Sequence, residues 1–160
     1  MAEMQLRRAT LDDAQLLASL NQSIQRMHAD ARPDVFKPAQ LNEALVGWYR
    51  ELLSQLENHV FIAEIDGEPV GCLYAKIVRR PENPFAYAMD FMLVDQLSVI
   101  PEYQGRGYGK RLLQAAFDLA RTENLHRVIL DVWAFNDHAI EFYKQQGFRV
   151  YLERMEIVLE

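Results

Sequence analysis

The stretch Leu97-Ser98-Val99-Ile100-Pro101-Glu102-Tyr103-Gln104-Gly105-Arg106-Gly107-Tyr108-Gly109-Lys110 passes from a β-type run into three alternate glycines, then into an amphipathic helix pattern. Glycine lets a backbone come close to a ligand, and a helix N-terminus carries unpaired N–H groups at its positive end. Strand, glycine loop and helix in that order make a cradle for a pyrophosphate. A glycine-rich turn with no ligand has the same local composition, so spacing has to discriminate. A P-loop needs four residues before its Gly-Lys-Ser/Thr end. Here Gly105 and Gly109 are separated by three, and Arg111 stands where the magnesium-binding hydroxyl belongs. A dinucleotide fingerprint started at Gly105 or Gly107 would put its last glycine at Lys110 or Leu112. Both fail.

Behind the loop, Leu112, Leu113, Ala116, Leu119 and Ala120 mark the buried stripe of a helix over residues 107–123. Before it, residues 87–100 form a long strand candidate interrupted by Asp90, Asp95 and Gln96. Residues 127–133 return to strand character, so 87–133 is a βαβ unit with parallel strands and a right-handed crossover. Further upstream, runs at 59–65 and 70–78 flank Asp66-Gly67-Glu68-Pro69, the signal of an antiparallel hairpin. Residues 3–9 read as a first strand, and Thr10 with Asp13 resembles a capping box opening a helix that ends by Arg32, before Pro33. A loop over 28–38 and a second helix with Leu41, Leu45, Trp48, Leu52 and Leu56 on one face follow. A short helix over 137–146 stops at Gly147, and 148–159 is a last β segment, one strand or two short ones. The expected fold is an α/β (α+β) mixed sheet covered by about four helices, as one domain over residues 1–160.

Composition narrows the function classes. The chain has 160 residues, half of them apolar and a quarter charged, which suits one globular domain. A net charge of −6 argues against a nucleic-acid surface and favours a cationic substrate. No run approaches the ~20 apolar residues of a membrane span, and the opening Met1-Ala2-Glu3-Met4-Gln5-Leu6 gives no signal-peptide pattern. A single cysteine, Cys72, forbids an internal disulfide and a cysteine zinc site. His28, His59, His126 and His138 show no metal-ligand spacing, so no metal is expected. His28, in the loop that would overhang the acceptor site, reads as a surface histidine, Trp48 as core, and Trp133, at a strand end, as packing in preference to lining the cleft. The expected compartment is the cytoplasm.

Gln104-x-x-Gly107-x-Gly109 after a strand resembles the acetyl-coenzyme A motif of the GNAT superfamily of N-acetyltransferases. Downstream, Leu130-Asp131-Val132, Asn136, Ala139, Phe142-Tyr143 and Gly147-Phe148 are similar to that family's second block. The resemblance runs from about Tyr87 onward; the first half matches only in element order.

It implies a mostly antiparallel sheet whose central parallel strand pair splays apart to admit the pantetheine arm. Backbone groups of Leu97, Ser98 and Val99 would then pair with that arm like an added strand. N–H groups of Gln104, Gly105, Arg106, Gly107, Tyr108 and Gly109 would hold the pyrophosphate, with the side chain of Arg106 or Lys110 adding charge. Asn136 and Tyr143 lie two helical turns apart on nearly one face; Asn136 is equally a plausible N-cap. Tyr143 would protonate the leaving thiolate, and Asp95 or Asp131 would take the amine proton, through water. The N–H of Val99 is the candidate oxyanion donor.

The implied activity is direct acetyl transfer from acetyl-CoA to a primary amine of a small molecule or peptide. The alternative is a non-catalytic acyl-CoA sensor that keeps the fold. A homodimer stays open, and the acceptor pocket would fall to residues 28–38, 79–87 and the last β segment.

Overall fold

The structure, a computed structural model, describes residues 3–160; the first two residues of the opening stretch inspected for a targeting signal lie outside them. Five strands form one sheet in the order β1-β2-β3-β4-β5: Met4–Arg8, Asn58–Ile65, Glu68–Arg80, Met89–Val99 and Val128–Leu130. The first four pair antiparallel, and β5 joins β4 in parallel. Sequence order equals spatial order because β1 to β4 run up and down, while α4 carries the crossover. The β2–β3 turn places Asp66 and Gly67 at φ 52° and 83°, the two positive values of a type I′ hairpin.

The helices are α1 (Ala14–Leu20), α2 (Gln22–Ala31), α3 (Glu43–Ser54), α4 (Tyr108–Thr122) and α5 (Asp137–Gln145). That is five rather than about four, because the first expected helix breaks at Asn21 and opens with a 3₁₀ turn at Leu11–Asp13. Each sheet face has its own core. On one face Leu112, Leu113 and Ala116 of α4 pack against Leu73, Met92 and Val94. On the other, Leu17, Val46 and Tyr49 of α1 and α3 pack against Ile62, Cys72 and Tyr74. Each such large apolar side chain taken from water stabilises the fold by about 1.5–3 kcal/mol.

Three expectations need correction. The buried face of α3 is Val46, Tyr49 and Leu52, whereas Trp48 is 51% exposed. Asn42 caps the helix at the Leu45 N–H (3.0 Å) and the helix stops at Ser54, so Leu41 and Leu56 fall outside it. With those two gone, the face is set by Tyr49, whose hydroxyl donates to Gln96 Oε1 on β4 at 3.0 Å. Second, β5 is three residues long instead of spanning 127–133, because its ladder with β4 ends at Leu130. Third, residues 148–159 form no strand, and 149–160 are exposed throughout. Among the described residues no helix is long and apolar enough to cross a membrane.

Candidate active site

The site begins where β4 and β5 part. Their parallel ladder covers Met92↔Val128, Leu93↔Ile129 and Val94↔Leu130 and goes no further. β4 continues to Val99, held only by β3 on its other side. The β3–β4 register jumps from Ala75↔Val94 to Tyr74↔Gln96, so Asp95 is the extra residue of a β-bulge, a device that re-aims side chains. Beyond the bulge the strand alternates regularly. The Ile100 N–H donates to Val70 O at 2.9 Å, so alternation turns the backbone of Ser98 toward β3 as well. Leu97 and Val99 therefore present their backbone groups to the open side. Ser98 belongs to the scaffold: it is buried, with Oγ 3.5 Å from Cys72 Sγ. Gln104 Nε2 donates to Val99 O at 2.8 Å, which ties the loop to the strand and leaves the Val99 N–H unclaimed by that bond.

The loop then turns through two left-handed glycines, Gly105 at φ 74° and Gly107 at φ 84°. A Cβ built on either would meet no protein atom within 4 Å, so a diphosphate can lie directly against this backbone. Gly107 is the residue before α4, and the first helical bond runs from the Arg111 N–H to Gly107 O at 3.2 Å. The N–H groups of Tyr108, Gly109 and Lys110 thus have no partner within the helix. Gly109 packs closely, its Cβ position lying 3.6 Å from the Phe142 ring. Arg106 is exposed with its guanidinium 5.2 Å over the Tyr103 ring, and Lys110 is exposed.

On the far side of the fork, Asn136 Oδ1 accepts from the Ala139 N–H at 3.1 Å, so this side chain caps α5. Two turns later Tyr143 packs on the α4 face of the sheet between the rings of Phe142 (5.2 Å) and Phe148 (5.7 Å). Burial pushes its phenol up to about 12. Asp95 acts on the other face. Tyr74 is raised to about 12 by burial first and by the Asp95 charge second; Tyr49 is raised by burial, with Cys72 and Asp95 adding to it. Asp95 is exposed at the bulge with its charge felt by two phenols of the α1/α3 face, while Tyr143 packs on the α4 face, and the fork lies where the strands carrying these residues part. Asp131 is exposed immediately past β5.

An aromatic cluster, unread in the sequence, gathers around Trp133 just past the end of β5. The His28 ring lies tilted 4.8 Å from Phe36 and 5.8 Å from Phe135; Trp133 meets Phe36 edge-on at 5.1 Å and stacks with Phe135 at 6.0 Å. Arg32 sits 5.6 Å over the Trp133 ring. His28 is half-buried by these rings and less open than the surface position expected of it, and that burial lowers its pKa. No periodic signal marks the cluster in the sequence: the only aromatic rings in residues 28–36 are His28 and Phe36, and in 133–135 Trp133 and Phe135. Trp133 packs, as expected.

The chain is similar in sequence and in fold to proteins already described. An uncharacterized N-acetyltransferase of Methanocaldococcus jannaschii is 31% identical over 117 residues, 69% of this chain and 46% of that protein. The N-alpha-acetyltransferase RimI of Mycobacterium tuberculosis is 39% identical over 123 residues, 76% of this chain and 66% of its own length. The chain thus spans less than two thirds of either relative. Among solved structures, a tetramutant of the BH1408 protein from Bacillus halodurans superposes with a TM-score of 0.90 at 23% identity, covering 97% of this chain and 99% of that one. An aminoglycoside N-acetyltransferase solved with CoA gives 0.75 at 19% identity, covering 100% and 96%. The family model of the acetyltransferase (GNAT) family matches residues 21–148, which take in the whole fork, the glycine loop and α5. With four-fifths of its residues under that match, this chain belongs to the acetyltransferase (GNAT) family.

Proposed function

We propose that the chain is an acetyl-CoA-dependent N-acetyltransferase that acts directly on a primary amine of a small molecule or peptide. The observation that carries this is the fork past Val94 and Leu130, which opens the Leu97 and Val99 edge and leads straight into the left-handed Gly105 and Gly107. When bound, acetyl-CoA supplies an acyl group already activated as a thioester. The backbone of Leu97 and Val99 aligns the pantetheine arm as an added strand. N–H groups between Gln104 and Lys110 hold the diphosphate at the positive end of α4, with Arg106 and Lys110 as charged neighbours. The Val99 N–H donates to the acyl oxygen as negative charge builds there.

Asp95 takes the amine proton, directly or through water, on the α1/α3 face; Asp131 is the second carboxylate at the fork. Tyr143 stays protonated at neutral pH and gives a hydrogen bond, then a proton, to the departing sulfur. Asn136 orders α5 so that Tyr143 reaches the fork. The aromatic cluster around Trp133 walls the acceptor side. Relatives favour an amine as acceptor: a spermidine N(1)-acetyltransferase of Escherichia coli is 31% identical over 96 residues, 59% of this chain. The reading includes a single cytoplasmic domain working as a homodimer.

Free thiol released from acetyl-CoA is the test, with aminoglycosides, polyamines, amino acids and peptides as acceptors. Amine-dependent thiol release is expected for at least one class. Tight acetyl-CoA binding with no release to any amine would make the chain an acyl-CoA sensor instead.

A further inference from the structure

The β3–β4 pair directly past the bulge, Tyr74↔Gln96, is gripped by α3 from both strands. On the β4 side the Tyr49 hydroxyl donates to Gln96 Oε1 at 3.0 Å. On the β3 side the Tyr74 hydroxyl donates to Asn58 Oδ1 at 3.0 Å, and Asn58 Nδ2 donates to Leu52 O, in the last turn of the same helix, at 2.9 Å. The grip leaves one group unpaired: Gln96 Nε2 is buried and has no hydrogen-bond partner among the described residues. A buried donor without a partner costs free energy, and an apolar side chain of the same shape would avoid that cost. Gln96 is therefore useful here through its oxygen alone. Its neighbours show what that oxygen selects. A slip of one residue turns a side chain to the other face. With Asp95 opposite Tyr74, a carboxylate would enter the buried cluster of Tyr49, Cys72 and Tyr74, where an unpaired charge is expensive. With Leu97 there, the Tyr49 hydroxyl would meet a side chain that has no acceptor. Of the three, Gln96 alone offers a neutral acceptor.

We infer that Tyr49 and Gln96 are positioning residues for Asp95: their hydrogen bond decides which residue of β4 is the extra one, and so keeps the Asp95 carboxylate exposed at the fork. The inference rests on the reading of Asp95 as the base of an acetyl transfer. Neither residue is assigned a contact with substrate; both act through the bulge. A bulge already leaves one residue unpaired and the ladder locally disrupted, so neighbouring registers differ by little, and one side-chain bond is enough to choose between them. Loss of the Tyr49 hydroxyl leaves both polar atoms of the Gln96 amide without a partner. Turning that amide out to water relieves them, and the turn displaces Asp95 from its exposed position. The backbone supplies a local reporter of the register. Alternation from the Ile100–Val70 bond directs the Gln96 amide, like that of Ser98, toward β3, so its protection reads the pairing with Tyr74.

Steady-state kinetics and residue-resolved amide exchange of Tyr49→Phe, Gln96→Met and the double variant, each also combined with Asp95→Asn, test it. Tyr49→Phe should lower kcat about tenfold, with the KM for acetyl-CoA within about twofold, the net worth of one hydrogen bond. Exchange at Gln96 should quicken about tenfold while Ser98 stays as slow as in the parent. Gln96→Met should lower kcat similarly, yet its urea midpoint should equal or exceed the parent's, because the unpaired donor is gone too. A bond that served stability alone would not split turnover from stability in this way. The double variant should be no slower than either single one, and in Asp95→Asn neither change should cost further activity. Gln96→Met carries the test if Tyr49→Phe does not fold. Unchanged exchange at Gln96 in both variants, or exchange that rises equally at Ser98, would overturn the hold on the bulge. Unchanged kcat in both would overturn its service to Asp95. A fully active Asp95→Asn would instead overturn the reading of Asp95 as the base, and the exchange result, which needs no activity, would still decide whether the bond sets the register.

Discussion

Asp95 and Asp131 each follow directly on the last paired residues of the two parallel strands, Val94 and Leu130, and so flank the point where the sheet opens. They are not equivalent. Both are exposed, but the charge of Asp95 reaches the phenols of Tyr49 and Tyr74 and raises them, whereas Asp131 stands past the end of β5. An alkylamine is protonated near neutral pH, with a pKa of about 10, so proton removal limits attack most at low pH. Asp95→Asn keeps the shape and removes the proposed base. Turnover should fall by about 10²–10⁴ at pH 6–7 and recover partly at high pH. Rate–pH profiles of both Asn variants check this; rescue in Asp131→Asn with a flat Asp95→Asn profile reverses the assignment.

Tyr143→Phe removes one hydroxyl and keeps the ring packed between Phe142 and Phe148. Turnover should drop by about 10²-fold or more while acetyl-CoA affinity holds, because the change removes only the proposed proton donor. With its phenol at about 12, Tyr143 also contributes no falling limb to the parent's pH profile below about pH 11. Activity of the variant within about twofold of the parent would reduce Tyr143 to packing.

Gly107 sits at φ 84° with open space where a side chain would project. A β-branched residue there costs roughly 1–2 kcal/mol in backbone strain and fills the space a diphosphate needs. Gly107→Val should weaken acetyl-CoA binding by at least about tenfold, measured by titration calorimetry, with a lower melting temperature. An unchanged dissociation constant moves the cradle elsewhere.

The elements that sequence made legible are those whose signal is local. The α4 stripe of Leu112, Leu113, Ala116, Leu119 and Ala120 is buried throughout, because its 3.6-residue period runs unbroken from Gly107. Asp66-Gly67 specifies its turn by positive φ alone. The residues flanking the fork were legible only through family resemblance, since the bulge at Asp95 depends on how β3 pairs and leaves no more trace than a polar residue in a strand. The face of α3 shifted because Tyr49 reaches Gln96 on a strand 47 residues away. In 148–159 the strand-forming residues were recognised, but strand formation needs an edge to pair with, and composition does not say whose.

The N-terminal joint gives a stability prediction with a definite sign. Asp13 accepts from the Thr10 N–H at 2.7 Å and forms paired bonds with Arg7 at 2.8 and 2.9 Å, while Arg7 Nε also donates to Glu64 at 2.7 Å. One carboxylate thus joins β1 to the first helical turn, and Arg7 ties both to β2. The Arg7 hydrogen bond is the largest cause holding Asp13 below its ordinary 3.8, with burial opposing it and Thr10 adding to it. A carboxylate depressed in the folded state stabilises fully above its unfolded pKa, and that contribution fades as pH falls through the folded value. Asp13→Asn should therefore cost about 1 kcal/mol at pH 7, the usual worth of a cap, because the amide keeps one acceptor but loses the charge facing Arg7. The gap between parent and variant should stay constant from pH 8 to about 5, then narrow below about pH 4. Urea midpoints measured at pH 7, 5 and 3 read this directly. A gap that is as wide at pH 3 as at pH 7 would mean that shape, and not the ionised carboxylate, is what Asp13 supplies.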